Sequence, residues 1–151
     1  MVKLFEMKRK SKILFVQKIT SQEYRVLLGR RVSNNESFWW IPGGSVEPGE
    51  TDFEAGIREL DEELFLTAAY SSAIHAYELK NEVPPFIEYE SAQAKNIIFM
   101  ISMIQANDIP LPAIKDEFEE LAWFNIDALP ANMSKEFAYI QHQLGASVRE
   151  L

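Results

Sequence analysis

Residues 44–63 read GSVEPGETDFEAGIRELDEE, and the spacing within this stretch organises everything around it. Thr51 followed by Glu54 has the S/T-x-x-E form in which side chain and backbone satisfy each other's amide donors at a helix start, so a helix is predicted from Thr51 to about Leu64. At about 100° per residue, Glu59, Glu62 and Glu63 fall within roughly a 100° arc, while Phe53, Ile57, Leu60 and Leu64 gather on another arc that faces a core. Like charges at i,i+3 and i,i+4 cost a helix about 0.2–0.5 kcal/mol per pair, a cost that a cation among them would remove. Hard oxygen donors of this kind suit Mg²⁺ or Mn²⁺. Taken alone, the three acids read equally as a solvated helix face, with Glu54 and Arg58 forming an ordinary i,i+4 ion pair.

The residues before the helix weigh against that plainer reading. Pro48 and Gly49, inside Glu-Pro-Gly-Glu, match the central positions of a type II turn. Gly43 and Gly44 allow backbone groups to come close to a metal or a phosphate. Arg58, with its planar fork of donors, can bridge Glu50 and a ligating carboxylate and hold the loop against the helix.

Working outward, strands are expected at Ile13–Ile19, Tyr24–Leu28 and Asn96–Ile104, the last as a buried central strand. Weaker strand signals lie at Ala73–Leu79 and at Phe86–Tyr89, the latter bounded by Pro84 and Pro85 as suits an edge. A second helix fits Ser134–Leu144, where Phe137, Ile140 and Leu144 recur at helical spacing. Helices interspersed with strands indicate a layered α/β domain, and 151 residues with 47% hydrophobic content suit a single domain, 1–151, with one sizeable core.

Composition narrows the function classes. A net charge of −8 opposes non-specific binding to nucleic acid or anionic membrane, so no nucleic acid polymer and no membrane partner is expected. Without cysteine there is no disulfide framework, thiolate metal site or thiol nucleophile. No export signal or membrane span is legible, which suits a cytoplasmic location. His75 and His142 lack ligand-like spacing.

Gly44, Glu50, Arg58, Glu59, Leu60, Glu62, Glu63 and Leu66 resemble the Nudix box, G-x5-E-x7-R-E-U-x-E-E-x-G-U with U a bulky aliphatic residue. Trp40-Ile41-Pro42-Gly43 resembles the family's common lead-in, and the likeness extends through Arg25–Arg31 and Asp116–Trp123. Phe65 departs from the pattern, standing where glycine is usual. A glycine there would end the helix through a left-handed residue, a conformation costly for phenylalanine, so a differently shaped helix end is expected.

The resemblance implies a Nudix-like α/β/α sandwich around a mixed β-sheet. It implies hydrolysis of a nucleoside diphosphate linked to another group, a triphosphate-type nucleotide foremost. Nucleoside diphosphate sugars or dinucleoside polyphosphates are the alternative substrates, and a non-catalytic nucleotide sensor is the alternative of another class. It further implies a metal held by Glu59, Glu62, Glu63 and the Gly43 carbonyl, with Glu117 nearby. Glu63 and Glu117 lead as general base, with Glu120 behind them. Arg30 and Arg31 are candidates for substrate phosphates, and Phe38, Trp39 or Trp40 for stacking on a base, though core packing explains the aromatic residues equally well. The expected partner is a small-molecule nucleotide, and a homodimer is left open.

Overall fold

The computed structural model describes residues 7–80, 86–92, 94–104 and 108–151. β1 (Lys8–Lys18) lies parallel to β7 (Ala94–Ser102) along nearly its whole length, from Lys8↔Ala94 to Val16↔Ser102. β6 (Phe86–Glu90) closes that side of the sheet antiparallel to β7, as an edge strand. The prolines invoked to mark this edge lie outside the described residues.

The other side of β1 is shared between two strands. Its C-terminal part pairs with β2 (Tyr24–Ser33) at Val16↔Val26, and its N-terminal part with β4 (Gly43–Ser45) at Lys12↔Gly43. Beyond the split, β2 pairs with β3 (Glu36–Trp40) on one side and β9 (Glu120–Asn125) on the other. Asn34 and Asn35 link β2 to β3 with φ of 53° and 64°, the left-handed pair required by a two-residue hairpin turn that follows strand twist.

Alternation along β1 sends Ile13 and Phe15 to one face and Leu14 and Val16 to the other, all at most 1% exposed. α1 (Asp52–Glu63) and α2 (Ala68–Glu78) cover the first face through Leu60, Leu64, Tyr70 and Ile74. A short 3-10 helix (Lys135–Tyr139) and α3 (Leu144–Arg149) cover the second through Ile140, Leu144 and Val148. This is the α/β/α sandwich around a mixed sheet.

Two expectations need correction. Ala73–Leu79 is helix, not strand, because Tyr70, Ala73, Ile74 and Tyr77 form a buried i, i+3, i+4, i+7 stripe that a window beginning at Ala73 conceals. The helix expected over Ser134–Leu144 is divided: Ser134 Oγ caps a 3-10 turn that ends at Ile140 (φ −126°), and regular helix resumes at Leu144. The buried spacing Ile140, Leu144, Val148 continues across that break.

At Phe65 the helix end is shaped differently from a left-handed glycine exit, as the substitution leads one to expect. Leu64 is already extended (φ −135°, ψ 149°), and Leu64–Phe65 forms β5, antiparallel to β8 (Ala113–Ile114), with Phe65 opposite Ala113. The Lys115 ammonium lies 4.7 Å from the Phe65 ring centroid and donates to the Asp61 carbonyl at 2.7 Å, supplying the cation that α1 lacks in its own last turn.

Lys12, 5% exposed, donates from Nζ to Asn96 Oδ1 at 3.0 Å on the face opposite α1. Burial pushes its ammonium down to about 8, against a smaller opposing pull from Glu136.

Two outcomes are expected. Because the unfolded chain then binds more protons than the folded one above pH 8, stability rises with pH from about 8 to about 10, by at most ~1.4 kcal/mol per pH unit. Denaturant titrations at stepped pH should show Lys12→Met flattening this rise. Phe65→Gly, although it restores the box pattern, should destabilise by about 1–2 kcal/mol through strand entropy and loss of the Lys115 contact, measured as a lower urea midpoint.

Candidate active site

The turn before α1 forms as its sequence requires. Gly49 has φ 85°, and the Glu50 amide donates to the Glu47 carbonyl at 3.1 Å across Pro48-Gly49. Thr51 and Glu54 then make the reciprocal capping box. Glu54 is thereby engaged at the helix start, and Arg58 turns to the loop instead.

Arg58 is the hub of this region. Its Nε and Nη2 grip Glu50 at 2.8 and 3.0 Å, Nη2 also reaches the Ser45 carbonyl at 2.9 Å, and Nη1 lies 3.1 Å from Glu59 and 3.2 Å from Glu62. The bidentate grip ties the loop to the helix. Arg58's hydrogen bonds hold the Glu50 carboxyl below the usual carboxylate range. Gly44 leaves room for Glu59, since a Cβ there would collide with the Glu59 carboxylate. One on Gly43 would strike the Ser11 carbonyl of β1.

Glu63 has a different environment. Its side chain is 1% exposed and neither carboxylate oxygen has a hydrogen-bond partner. A buried carboxylate left in this state is costly. Burial pushes its carboxyl up to about 8; Arg31 pulls it back, while the neighbouring Glu117 and Glu59 charges push it further up.

Arg31 reaches this corner from β2, where the sheet splits. Its Nη2 lies 3.5 Å from Glu63 Oε1 and 3.5 Å from the Gly43 carbonyl, and its Nη1 is 3.2 Å from Glu117 Oε2. The guanidinium sits over the Phe118 ring at 4.7 Å. Glu117 is half-exposed and holds φ 70°, a strained conformation for a residue with a side chain. Its loop is clamped to the end of α1, because the Lys115 and Asp116 amides both donate to the Glu63 carbonyl at 2.8 and 3.2 Å.

The structure therefore gathers Gly44, Glu50, Glu59 and Glu62 around Arg58, and Gly43, Glu63, Arg31 and Glu117 in the adjoining corner. Arg30, the neighbour of Arg31 on β2, points to the other side of the strand and lies 3.5 Å from Glu120. Trp39 and Trp40 are buried in the core, Trp39 edge-on to Phe124 with ring centroids 4.8 Å apart. Phe38 packs partly buried against the same cluster. His75 and His142 are exposed. The sequence reading missed Lys115 and Phe118, which act on the site only through a tertiary contact that no local pattern signals.

Among the described residues, no three acidic or histidine side chains stand in metal-ligating geometry, since Arg58 draws Glu59 and Glu62 towards its Nη1. A divalent cation nevertheless fits the donor set. It is made of oxygen alone, Gly44 keeps space beside Glu59, and Glu63 presents two buried oxygens without partners.

Residues 10–144 match the NUDIX domain family. Among curated proteins, the chain is 28% identical over 117 residues to an RNA pyrophosphohydrolase of Rickettsia bellii, covering 74% of this chain and 73% of the relative. It is 26% identical to an RNA pyrophosphohydrolase of Pelagibacter ubique, covering 72% and 73%. Among solved structures it resembles the Nudix hydrolase RenU of M. smegmatis (TM-score 0.68, 19% identity, 98% of this chain and 89% of that one). It also resembles a C. elegans Ap4A hydrolase (TM-score 0.58, 18% identity, 94% of each chain). The two structural likenesses speak to the fold, whereas the match over residues 10–144 settles kinship: the chain belongs to the Nudix family and is a Nudix pyrophosphohydrolase.

Proposed function

We propose that the enzyme hydrolyses the 5′-terminal triphosphate of an RNA or a nucleotide, in a reaction that depends on Mg²⁺ or Mn²⁺. The observation that carries this reading is Glu63, a buried and unpartnered carboxylate beside Arg31 and Glu117 at the end of the box helix. The name borne by the curated relatives, RNA pyrophosphohydrolase, favours an RNA end over a nucleotide sugar.

Glu59, Glu62 and Glu63 with the Gly43 carbonyl would hold the cation, which when bound neutralises diphosphate charge and lowers the pKa of the attacking water. Arg58 braces Glu59 and Glu62 and anchors the loop through Glu50. Arg31, half-buried over Phe118, contributes positive charge where phosphate oxygens would lie. Glu117 takes the proton of the attacking water, because its carboxylate is open to solvent whereas that of Glu63 is closed off. Its strained backbone on a clamped loop fixes where that base stands.

Two variants test the division of roles. Glu63→Gln should lower turnover on a 5′-triphosphorylated oligonucleotide about 10³-fold or more and weaken Mn²⁺ binding in calorimetry. In chelator at pH 7 the same variant should melt higher than the parent, because a neutral amide is buried without the proton uptake that the Glu63 carboxyl, pushed up to about 8 by burial, requires. Glu117→Gln should lower kcat about 10²–10³-fold while leaving Mn²⁺ affinity within a few-fold. Retention of kcat within threefold in Glu117→Gln would move the base to Glu63. Absence of metal-stimulated turnover across RNA ends, nucleoside triphosphates and nucleotide sugars would instead leave a nucleotide sensor.

A further inference from the structure

Two consecutive residues of the loop between β8 and β9 hold Arg31. Its Nη1 lies 3.2 Å from Glu117 Oε2, and its guanidinium carbon stands 4.7 Å from the centroid of the Phe118 ring. In extended chain, neighbouring side chains point to opposite sides, so two of them meeting one guanidinium requires a bend between them. The left-handed backbone at Glu117 (φ 70°) supplies that bend. One residue then meets Arg31 with a carboxylate and the next with a ring.

The ring has a prepared seat. Phe118 is 6% exposed and packs with Leu27 and Leu121 in the cluster beneath α1. Leu27, Gly29 and Arg31 alternate onto that same face of β2. A Cβ on Gly29 would stand 2.4 Å from Cδ1 and 2.9 Å from Cγ of the Phe118 ring. Because Cγ lies next to the backbone, a flexible tip could not absorb this clash and the whole ring would have to move. Gly29 lies within a strand and is not among the residues of positive φ, so its missing side chain provides room rather than backbone freedom.

The polar partners of Arg31 are ones it must yield. Its Nη2 lies 3.5 Å from both the Gly43 carbonyl and Glu63 Oε1, which are assigned to the cation, and Glu117 is assigned to the attacking water. Only the ring makes no demand on the reacting groups. We infer that Phe118, seated on Gly29, is a positioning residue that keeps the Arg31 guanidinium facing the site while its carboxylate and carbonyl partners are exchanged for phosphate oxygens. This rests on the reading of Arg31 as a phosphate contact. It also explains how Glu117 is released as a free carboxylate without Arg31 losing its place.

The test is a double-mutant cycle on the binding of imidotriphosphate, an unhydrolysable triphosphate without a nucleoside, followed by calorimetry in Mn²⁺. Phe118→Leu should weaken binding about tenfold in the parent but by less than about twofold in Arg31→Met, where the ring has nothing left to position. Phe118→Tyr, which keeps the ring, should stay within about threefold of the parent. Gly29→Ala displaces the ring without removing it, and serves if Phe118→Leu folds poorly. It should weaken binding in the same direction and add less than about twofold to Phe118→Leu. Mn²⁺ affinity without the triphosphate should be nearly unchanged in Phe118→Leu. A loss of Mn²⁺ affinity as large as the loss of triphosphate affinity would make the ring a packing element and overturn the assignment. Equal weakening in the parent and in Arg31→Met overturns it as well, while turnover of 5′-triphosphorylated RNA would leave the substrate reading standing. The expected coupling without turnover of any 5′-triphosphate keeps Phe118 in its role and overturns the substrate reading alone. No binding of imidotriphosphate by the parent overturns both.

Discussion

β1 runs beside β7 without interruption from Lys8 to Val16, and this parallel pairing constrains everything on its other edge. A strand edge offers one set of donors and acceptors per residue, so β2 and β4 must divide it between them. Where the pairing changes hands the sheet splits, and the Ile13 amide finds its acceptor in the Pro42 carbonyl. The split brings Arg31, at the far end of β2, and Gly43, at the start of β4, to within 3.5 Å of each other. The same strand carries Ser11 and Ile13 on the face towards α1, so one element supplies both the divided edge and the floor under the box helix.

The electrostatics follow from that scaffold. Two arginines handle a surplus of acids in different ways. Arg58 is partly solvent-accessible and makes charge-assisted bonds to Glu50, Glu59 and Glu62, each of them with some contact with water. Arg31 faces a carboxylate that has none, at a distance too long for a good hydrogen bond. The fold thus tolerates Glu63 as an unsatisfied group in its interior, a local instability of the kind that functional sites carry. The left-handed backbone at Glu117 is a further local cost at the same corner, sustained by the hydrogen bonds that residues 115 and 116 donate to the end of α1.

Much of this was legible from residues alone wherever the governing interaction is local. The capping box at Thr51 and Glu54 and the turn at Pro48-Gly49 involve groups within four residues of one another, and both appear as read. Longer-range competition defeated other readings. Phe65 indicated a helix exit unlike the glycine one, but the shape of that exit, an extended route paired with Ala113, is one that no box pattern reveals. Lys8–Lys12 is too polar to read as strand, yet it pairs on both sides because β4 and β7 are brought to it. The short strands β3, β4, β5 and β8 went unread for the same reason, since five or fewer residues carry too little periodicity to stand out.

By itself, the sequence determined the box helix, its caps and the loop before it, since these depend on residue identity and on spacings shorter than two helical turns. The tertiary structure decided which acid is buried and which arginine meets it. Glu59, Glu62 and Glu63 are equivalent as residue types, as are Arg30 and Arg31, and only the sheet face and the depth below the surface make them different. Burial sets the cost of a charge, and burial is a property of the packed chain rather than of any segment of it.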